Sequence, residues 1–145
     1  MKAIIIALAI VMTQPVFAGC DYNRQLEALA LNIYHEARGE PEEGMRMVGE
    51  VTLNRVASEK YPKTVCDVVY QKSQFSWVRM KKNHTPREAE EWQKSLEIAE
   101  ELLTDNKKSY DHLATHFVNT SIVRPSWTKK FKKVAKIGDH TFYRM

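Results

Sequence analysis

Cysteine is almost missing from this chain of 145 residues: Cys20 and Cys66 are the only two. A thiolate zinc site needs further ligands at characteristic spacings, and none accompany this pair. Nor is there an apolar run of the roughly 20 residues that a helix needs to cross a bilayer; the longest, Ala3 to Met12, falls well short. Linkers, repeats and low-complexity tracts are lacking too, so the chain reads as one domain with one core. Strong charge of either sign is also absent, with 22 Lys and Arg against 18 Asp and Glu. A mildly basic balance suits an anionic partner such as a cell-wall polymer, nucleic acid or a membrane surface, and charge alone does not choose among them.

What is present begins with Lys2 and its apolar run, closed by Val16, Phe17 and Ala18 in the manner of an export-signal cleavage site. Residues 1–18 are expected to be removed, leaving residues 19–145 as a single domain in the periplasm, the cell wall or the medium. Export places the two cysteines where disulfides persist. A Cys20–Cys66 bridge would tie the mature N-terminus to the body and stabilise it by roughly 3–4 kcal/mol in the chain-entropy model. Alternatively, Phe17-Ala18-Gly19-Cys20 loosely matches a lipoprotein site; lipidated Cys20 would then anchor the chain to a membrane and leave Cys66 free.

The remainder predicts an α+β layout, predominantly α. Asp21 is a candidate N-cap, and Tyr22, Leu26, Leu29 and Ile33 draw one apolar stripe down a first helix that Gly39 ends. Pro41, Glu42 and Glu43 start a second, whose stripe of Met45, Val48, Val51 or Thr52, and Val56 runs to about Ala57. A short third helix covers Thr64 to Tyr70. Thr85, Pro86, Arg87 and Glu88 form a capping-box pattern that predicts the start of a fourth, followed by Trp92, Leu96, Ala99 and Leu103. Thr115–Val118 and Val134–Ile137 read as strands, and Gly138 with Asp139 turns the latter into Thr141–Tyr143 as a C-terminal β-hairpin.

Helical phase singles out one carboxylate. Extending the first stripe by its next step lands on Glu36, so its side chain points with Leu29 and Ile33 rather than toward water. Desolvation raises the pKa of such a group and keeps it protonated near neutral pH, as a general acid requires. A protonated glutamate at a cleft edge can donate to a glycosidic oxygen as the bond breaks. The structural alternative is a buried glutamate neutralised by Arg38 or Arg55. Glu40, Glu42 and Glu43 fall in the turn and the next helix's first turn, where capping and the helix dipole account for them.

Other polar candidates are weaker. His35 and Glu36 fail the zinc-protease pattern because Gly39 stands four residues after His35. His112 and His116 have i, i+4 spacing, but they lie in a loop entering a strand, where an extended chain would separate them by roughly 13 Å. No metal or other cofactor is expected. The lysines of "WTKKFKKVAK" could track an acidic polymer, although a solvated basic face around packed Trp127, Phe131 and Val134 explains them as well. No nucleic-acid partner is expected.

"LNIYHEARGEPEEGMRMVGEVTLNRV", "YPKTVCDVVYQKSQFSWV" and "IGDHTFYRM" together resemble the catalytic domain of spore cortex-lytic and related bacterial and phage cell wall hydrolases. The similarity runs from about Leu26 to Tyr143. It implies a small, mainly helical, lysozyme-like domain related to lytic transglycosylases and acting on peptidoglycan glycan strands; the chain itself is expected to be a monomer. In such enzymes one glutamate serves as acid and then base while the muramic acid closes a 1,6-anhydro ring, so no second carboxylate is needed. The family's acid matches Glu36. Gln74, Phe75, Phe117, Asn119 and His140 are implied to line the cleft; their local alternatives are core packing for the two phenylalanines, a turn for Asn119 and a hairpin hydrogen bond for His140. Thr120 stands where the family usually has proline. Water-adding muramidase activity, with Glu40, Glu50 and Asp67 as spare acids for a two-carboxylate hydrolysis, N-acetylmuramoyl-L-alanine amidase activity, and noncatalytic wall binding are the alternatives.

Overall fold

The computed structural model describes residues 19–80, 83–107 and 109–145. The expected export signal lies outside them.

Helix α1 (Tyr22–Ala37) starts at Asp21, whose carboxylate accepts the Arg24 backbone N–H at 2.9 Å. It ends as Arg38 N–H reaches back to the Tyr34 carbonyl, and Gly39 then turns the chain at φ +82°, a conformation glycine adopts without strain. Leu29 and Ile33 are fully buried as the stripe requires, whereas Tyr22 is 45% exposed, so the stripe starts to bury only after the first turn. Helix α2 (Glu42–Ala57) follows, with Glu42 and Glu43 in its first turn, and buries Met45, Val48 and Val51. Two short helices, α3 (Val65–Val69) and α4 (Ser76–Arg79), lead to α5 (Ala89–Thr104). Helix α1 packs against α2, α3 and α5. Buried Asn32 links three of these elements: its amide donates to Thr52 Oγ1 at 3.3 Å and its carbonyl accepts Trp77 Nε1–H at 2.9 Å.

Helix α5, the fourth helix expected from sequence, begins later than the capping-box pattern predicts, at Ala89 rather than just after Thr85. Its would-be box is recruited elsewhere. Thr85 N–H is held by Asn83 at 3.0 Å, while the Tyr34 hydroxyl donates to the Glu88 carboxylate and accepts Arg87 and Glu88 N–H at 3.1 and 3.2 Å. A tertiary partner thus outcompetes the reciprocal cap, and residues 83–88 run along α1 instead of opening a helix.

Strands β1 (His116–Asn119), β2 (Lys132–Ile137) and β3 (His140–Arg144) form one antiparallel sheet in the order β1-β3-β2. The predicted hairpin is β2-β3, and β1 extends it to three strands. Register puts Phe117, Asn119, His140 and Phe142 on one face, with His116, Val118, Thr141 and Tyr143 on the other. Phe142 is fully buried.

The structure bridges Cys20 and Cys66, with Cα atoms 5.9 Å apart across 46 residues of sequence. Replacing both by serine is expected to lower the unfolding free energy by about 3–4 kcal/mol through the longer loop freed in the unfolded chain. A urea midpoint equal to that of the parent protein would show that the tether contributes nothing.

Candidate active site

Glu36 lies in the last turn of α1, half-buried, with the apolar face of the helix behind it. Burial pushes its carboxyl up from an ordinary 4.5 to about 7, and the Arg55 guanidinium opposes that shift. At neutral pH the group is therefore poised between its two forms. Arg38, the other proposed neutraliser, is committed elsewhere: its Nε lies 3.4 Å from Glu88 and its guanidinium sits over the Tyr34 ring.

Arg55, near the end of α2, is the hub. Only 5% exposed, it donates from Nε to the Thr115 carbonyl at 2.8 Å and from Nη1 toward Gln74 Oε1 at 3.4 Å. Its guanidinium also lies over the rings of Tyr61 and Phe75, each 5.2 Å away. Desolvation lowers its pKa, but arginine remains charged at any ordinary pH. A buried cation held by a carbonyl, an amide and two aromatic faces is well partnered, and it supplies a fixed positive potential beside Glu36.

The remaining residues follow from this hub by contact. Phe75 stacks on Phe117 at 6.4 Å, and Phe117 meets the His140 ring edge-on at 5.4 Å. Gln74, Phe75, Phe117 and His140 thus join Arg55 in one continuous chain of contacts, and Glu36 is coupled to it through the charge of the guanidinium. Phe75 is also core, at 3% exposure, so packing and site lining are the same role for this side chain. Asn119 lies opposite His140 in the sheet, but its carbonyl accepts Ser121 N–H at 3.1 Å and the Ser121 hydroxyl, so its side chain closes a turn.

Glu40 does more than occupy the turn before α2. Its carboxylate, 13% exposed, accepts Asp139 N–H at 3.1 Å and faces His140 Nδ1 at 3.8 Å. Gly138, at φ +54°, is required here: a Cβ at that position would collide with the Glu40 carboxylate. Burial lowers the His140 pKa while Glu40 and Asp139 raise it, and Nδ1 has no hydrogen-bond partner. The hairpin turn and the start of α2 are thereby clamped together beside the cluster.

The two histidines at i, i+4 go separate ways. His112 pairs with Glu50 at 2.9 Å, whereas His116 packs against Trp127 and Phe131, and burial, aided by Arg55, pushes its pKa down to about 4. Among the described residues no group of three His, Cys, Asp or Glu is placed to hold a metal ion.

Sequence reasoning named Arg55 only as a possible neutraliser of Glu36. Its organising role was hidden because its partners, Tyr61, Gln74, Phe75 and Thr115, are scattered along the chain. The one available signal was a lone arginine among the apolar positions closing the second helix.

Comparison with known proteins places the fold. A family model described as Cell Wall Hydrolase matches residues 39–143, a span that takes in Glu40, Arg55, Gln74, Phe75, Phe117, Asn119 and His140 and begins three residues after Glu36. The chain is 28% identical over 122 residues to the spore cortex-lytic enzyme of Bacillus subtilis, an alignment covering 83% of this chain and 37% of that protein. To the spore cortex-lytic enzyme of Oceanobacillus iheyensis it is 29% identical over 119 residues, covering 81% of this chain and 40% of that one. It therefore spans about two fifths of the length of these relatives. Among solved structures, the catalytic domain of the germination-specific lytic transglycosylase SleB from Bacillus anthracis superposes with a TM-score of 0.67 at 25% identity, covering 88% of this chain and 98% of that domain. The catalytic domain of the Bacillus cereus SleB protein gives the same score and identity, with 94% of its chain covered. The lysozyme-like α+β fold expected from sequence is the fold of these domains.

Proposed function

The chain belongs to the cell wall hydrolase family, and from that premise we propose that it cleaves the peptidoglycan glycan strand between N-acetylmuramic acid and N-acetylglucosamine as a lytic transglycosylase, with Glu36 as general acid and then base. The observation that carries the reading is a single half-buried carboxyl with a pKa near 7, set beside a fixed, buried cation. Protonated Glu36 donates to the glycosidic oxygen as the bond to the muramic C1 breaks, and the departing sugar leaves with a free hydroxyl. The resulting carboxylate, held by the Arg55 potential, takes the proton from the muramic 6-hydroxyl as that oxygen bonds to C1. The proton lost in the first step is regained in the second, and no water is consumed.

Gln74, Phe75, Phe117 and His140 are assigned to the cleft wall, where the half-buried Phe117 ring offers a platform for a sugar and the exposed Gln74 amide a hydrogen-bonding group, with Phe75 packed behind them. Asn119 shapes the strand end through its turn. Removal of residues 1–18 is part of the proposal, because the substrate lies outside the cytoplasm.

The test is the mass of the fragments that purified residues 19–145 release from isolated sacculi. Anhydromuropeptides are expected. Fragments heavier by one water, carrying a new reducing end, would replace the second step by hydrolysis; free stem peptides would mark an amidase; binding without release would remove the enzymatic reading.

A further inference from the structure

The proposed reaction makes no use of the chain's most uneven feature, its charge distribution. Residues 19–145 hold 21 Lys and Arg, and six of them (Arg124, Lys129, Lys130, Lys132, Lys133 and Lys136) fall between Asp111 and Asp139, a stretch with no acidic residue. The other fifteen stand against all 18 Asp and Glu, so everything outside this stretch is net acidic. All six are exposed, and among the described residues none forms an ion pair.

Register fixes where part of this charge goes. Lys133 pairs with Tyr143 and Lys136 with Thr141, which puts both lysines on the face opposite Phe117, His140 and Phe142. On that outer face Trp127 packs on Tyr143 and His116, each ring 5.3 Å away, and on Phe131 at 5.5 Å. The turn Ser126–Lys129 that carries Trp127 adds Lys129, with Lys130 following it. A rigid aromatic patch is thus rimmed by unpaired cations, on the far side of the sheet from the residues assigned to the cleft.

Protection of an exposed sheet edge explains some of this. Strand β2 is an edge strand, and lysines together with the irregular register between Lys133 and Ala135 discourage pairing with another chain. Edge protection does not call for Arg124, Lys129 or Lys130, which lie outside the strand. Nor does it call for the removal of every acid from the surrounding stretch, since mixed charges blunt an edge equally well and avoid self-repulsion.

We propose that this outer sheet face docks the protein on the anionic groups of the cell wall, leaving the Glu36 side of the sheet free to work on a glycan strand. The assignment rests on the wall-directed reading above. It matches a cationic surface to a polyanion, peptidoglycan, whose charges are the carboxylates of its stem peptides. Such attraction acts over about a Debye length and weakens as salt rises.

The test uses residues 19–145 carrying Glu36→Gln, so that binding to isolated sacculi is read without cleavage. Co-sedimentation at low salt is expected to be strong and to fall steeply as sodium chloride is added. The combined variant Lys129→Gln, Lys130→Gln, Lys133→Gln and Lys136→Gln should bind on the order of tenfold more weakly at low salt and show a flatter salt dependence, with an unchanged circular dichroism spectrum and melting temperature. Sacculi stripped of phosphodiester polymers by hydrofluoric acid test the source: binding that survives stripping supports the stem-peptide carboxylates, and binding that is lost on stripping would overturn that assignment. Parent-level binding by the quadruple variant, binding indifferent to salt, or tighter binding to duplex DNA than to sacculi would overturn the proposal. Fragment release by the unsubstituted protein is scored separately, so failure of the catalytic reading and failure of the docking face give different results.

Discussion

Glu36→Gln is expected to reduce release of soluble fragments from sacculi by roughly 10³-fold, the range associated with loss of a positioned general acid. Glutamine keeps the volume and polarity of the side chain but has no proton to give to a glycosidic oxygen and no lone-pair charge with which to take one back. Because one residue performs both transfers in the proposed scheme, neither half of the reaction survives its loss. The fold should not suffer. Burial raises the Glu36 pKa from 4.5 to about 7, so the unfolded chain gives up this proton at lower pH than the folded one. The linked stability is fully present below pH 4.5 and is lost as pH rises through about 7. Glutamine removes that dependence, so the variant should melt at the same temperature as the parent or higher at pH 8 and lose the decline between mildly acidic and neutral pH. Full release activity in a folded Gln variant would sink the mechanism, and a variant that melts much earlier would instead mark Glu36 as structural.

How early this residue could be found depended on the kind of information that positions it. The phase of α1 is local, written in the spacing of Leu26, Leu29 and Ile33, and it aims Glu36 before any tertiary contact is known. The ends of α1 and α2 and the β2-β3 turn were legible for the same reason, since caps, Pro41 and Gly138 act on their own neighbourhoods. The start of α5 was not, because Tyr34 lies 54 residues from Glu88 in sequence and still takes its carboxylate out of the capping box. Glu40 shows the same limit. Locally it is a turn residue, and its clamp on the Gly138–Asp139 turn spans 99 residues. Gln74, Phe75, Phe117 and His140 entered only through the resemblance to a family, because nothing in their own segments says that Arg55 or its stacked neighbours will bring them together.

Arg55→Met is expected to move the alkaline limb of the activity profile to higher pH. Release requires protonated Glu36, so activity should fall as pH rises through about 7 in the parent protein. Arg55 opposes the upward shift that burial imposes, and a neutral side chain of similar length removes that opposition. Glu36 then holds its proton to higher pH, and the limb follows it. The rate on the plateau should drop on the order of 10²-fold, because Gln74 and Phe75 lose the guanidinium that fixes them and small displacements near the reacting bond are costly. The Thr115 carbonyl would also lose its donor, lowering stability by about 1–3 kcal/mol, so the profile is to be measured at a temperature where both proteins remain folded. Arg55→Lys supplies the control: it keeps the charge and loses the planar fork, so the limb should stay closer to that of the parent while the plateau still falls. An unmoved limb in the Met variant would mean that Arg55 does not set the protonation of Glu36, and its partners would then belong to the scaffold alone. A shifted limb with a restored position in the Lys variant separates charge from packing, and it ties the buried cation to the proton on which the proposed chemistry turns.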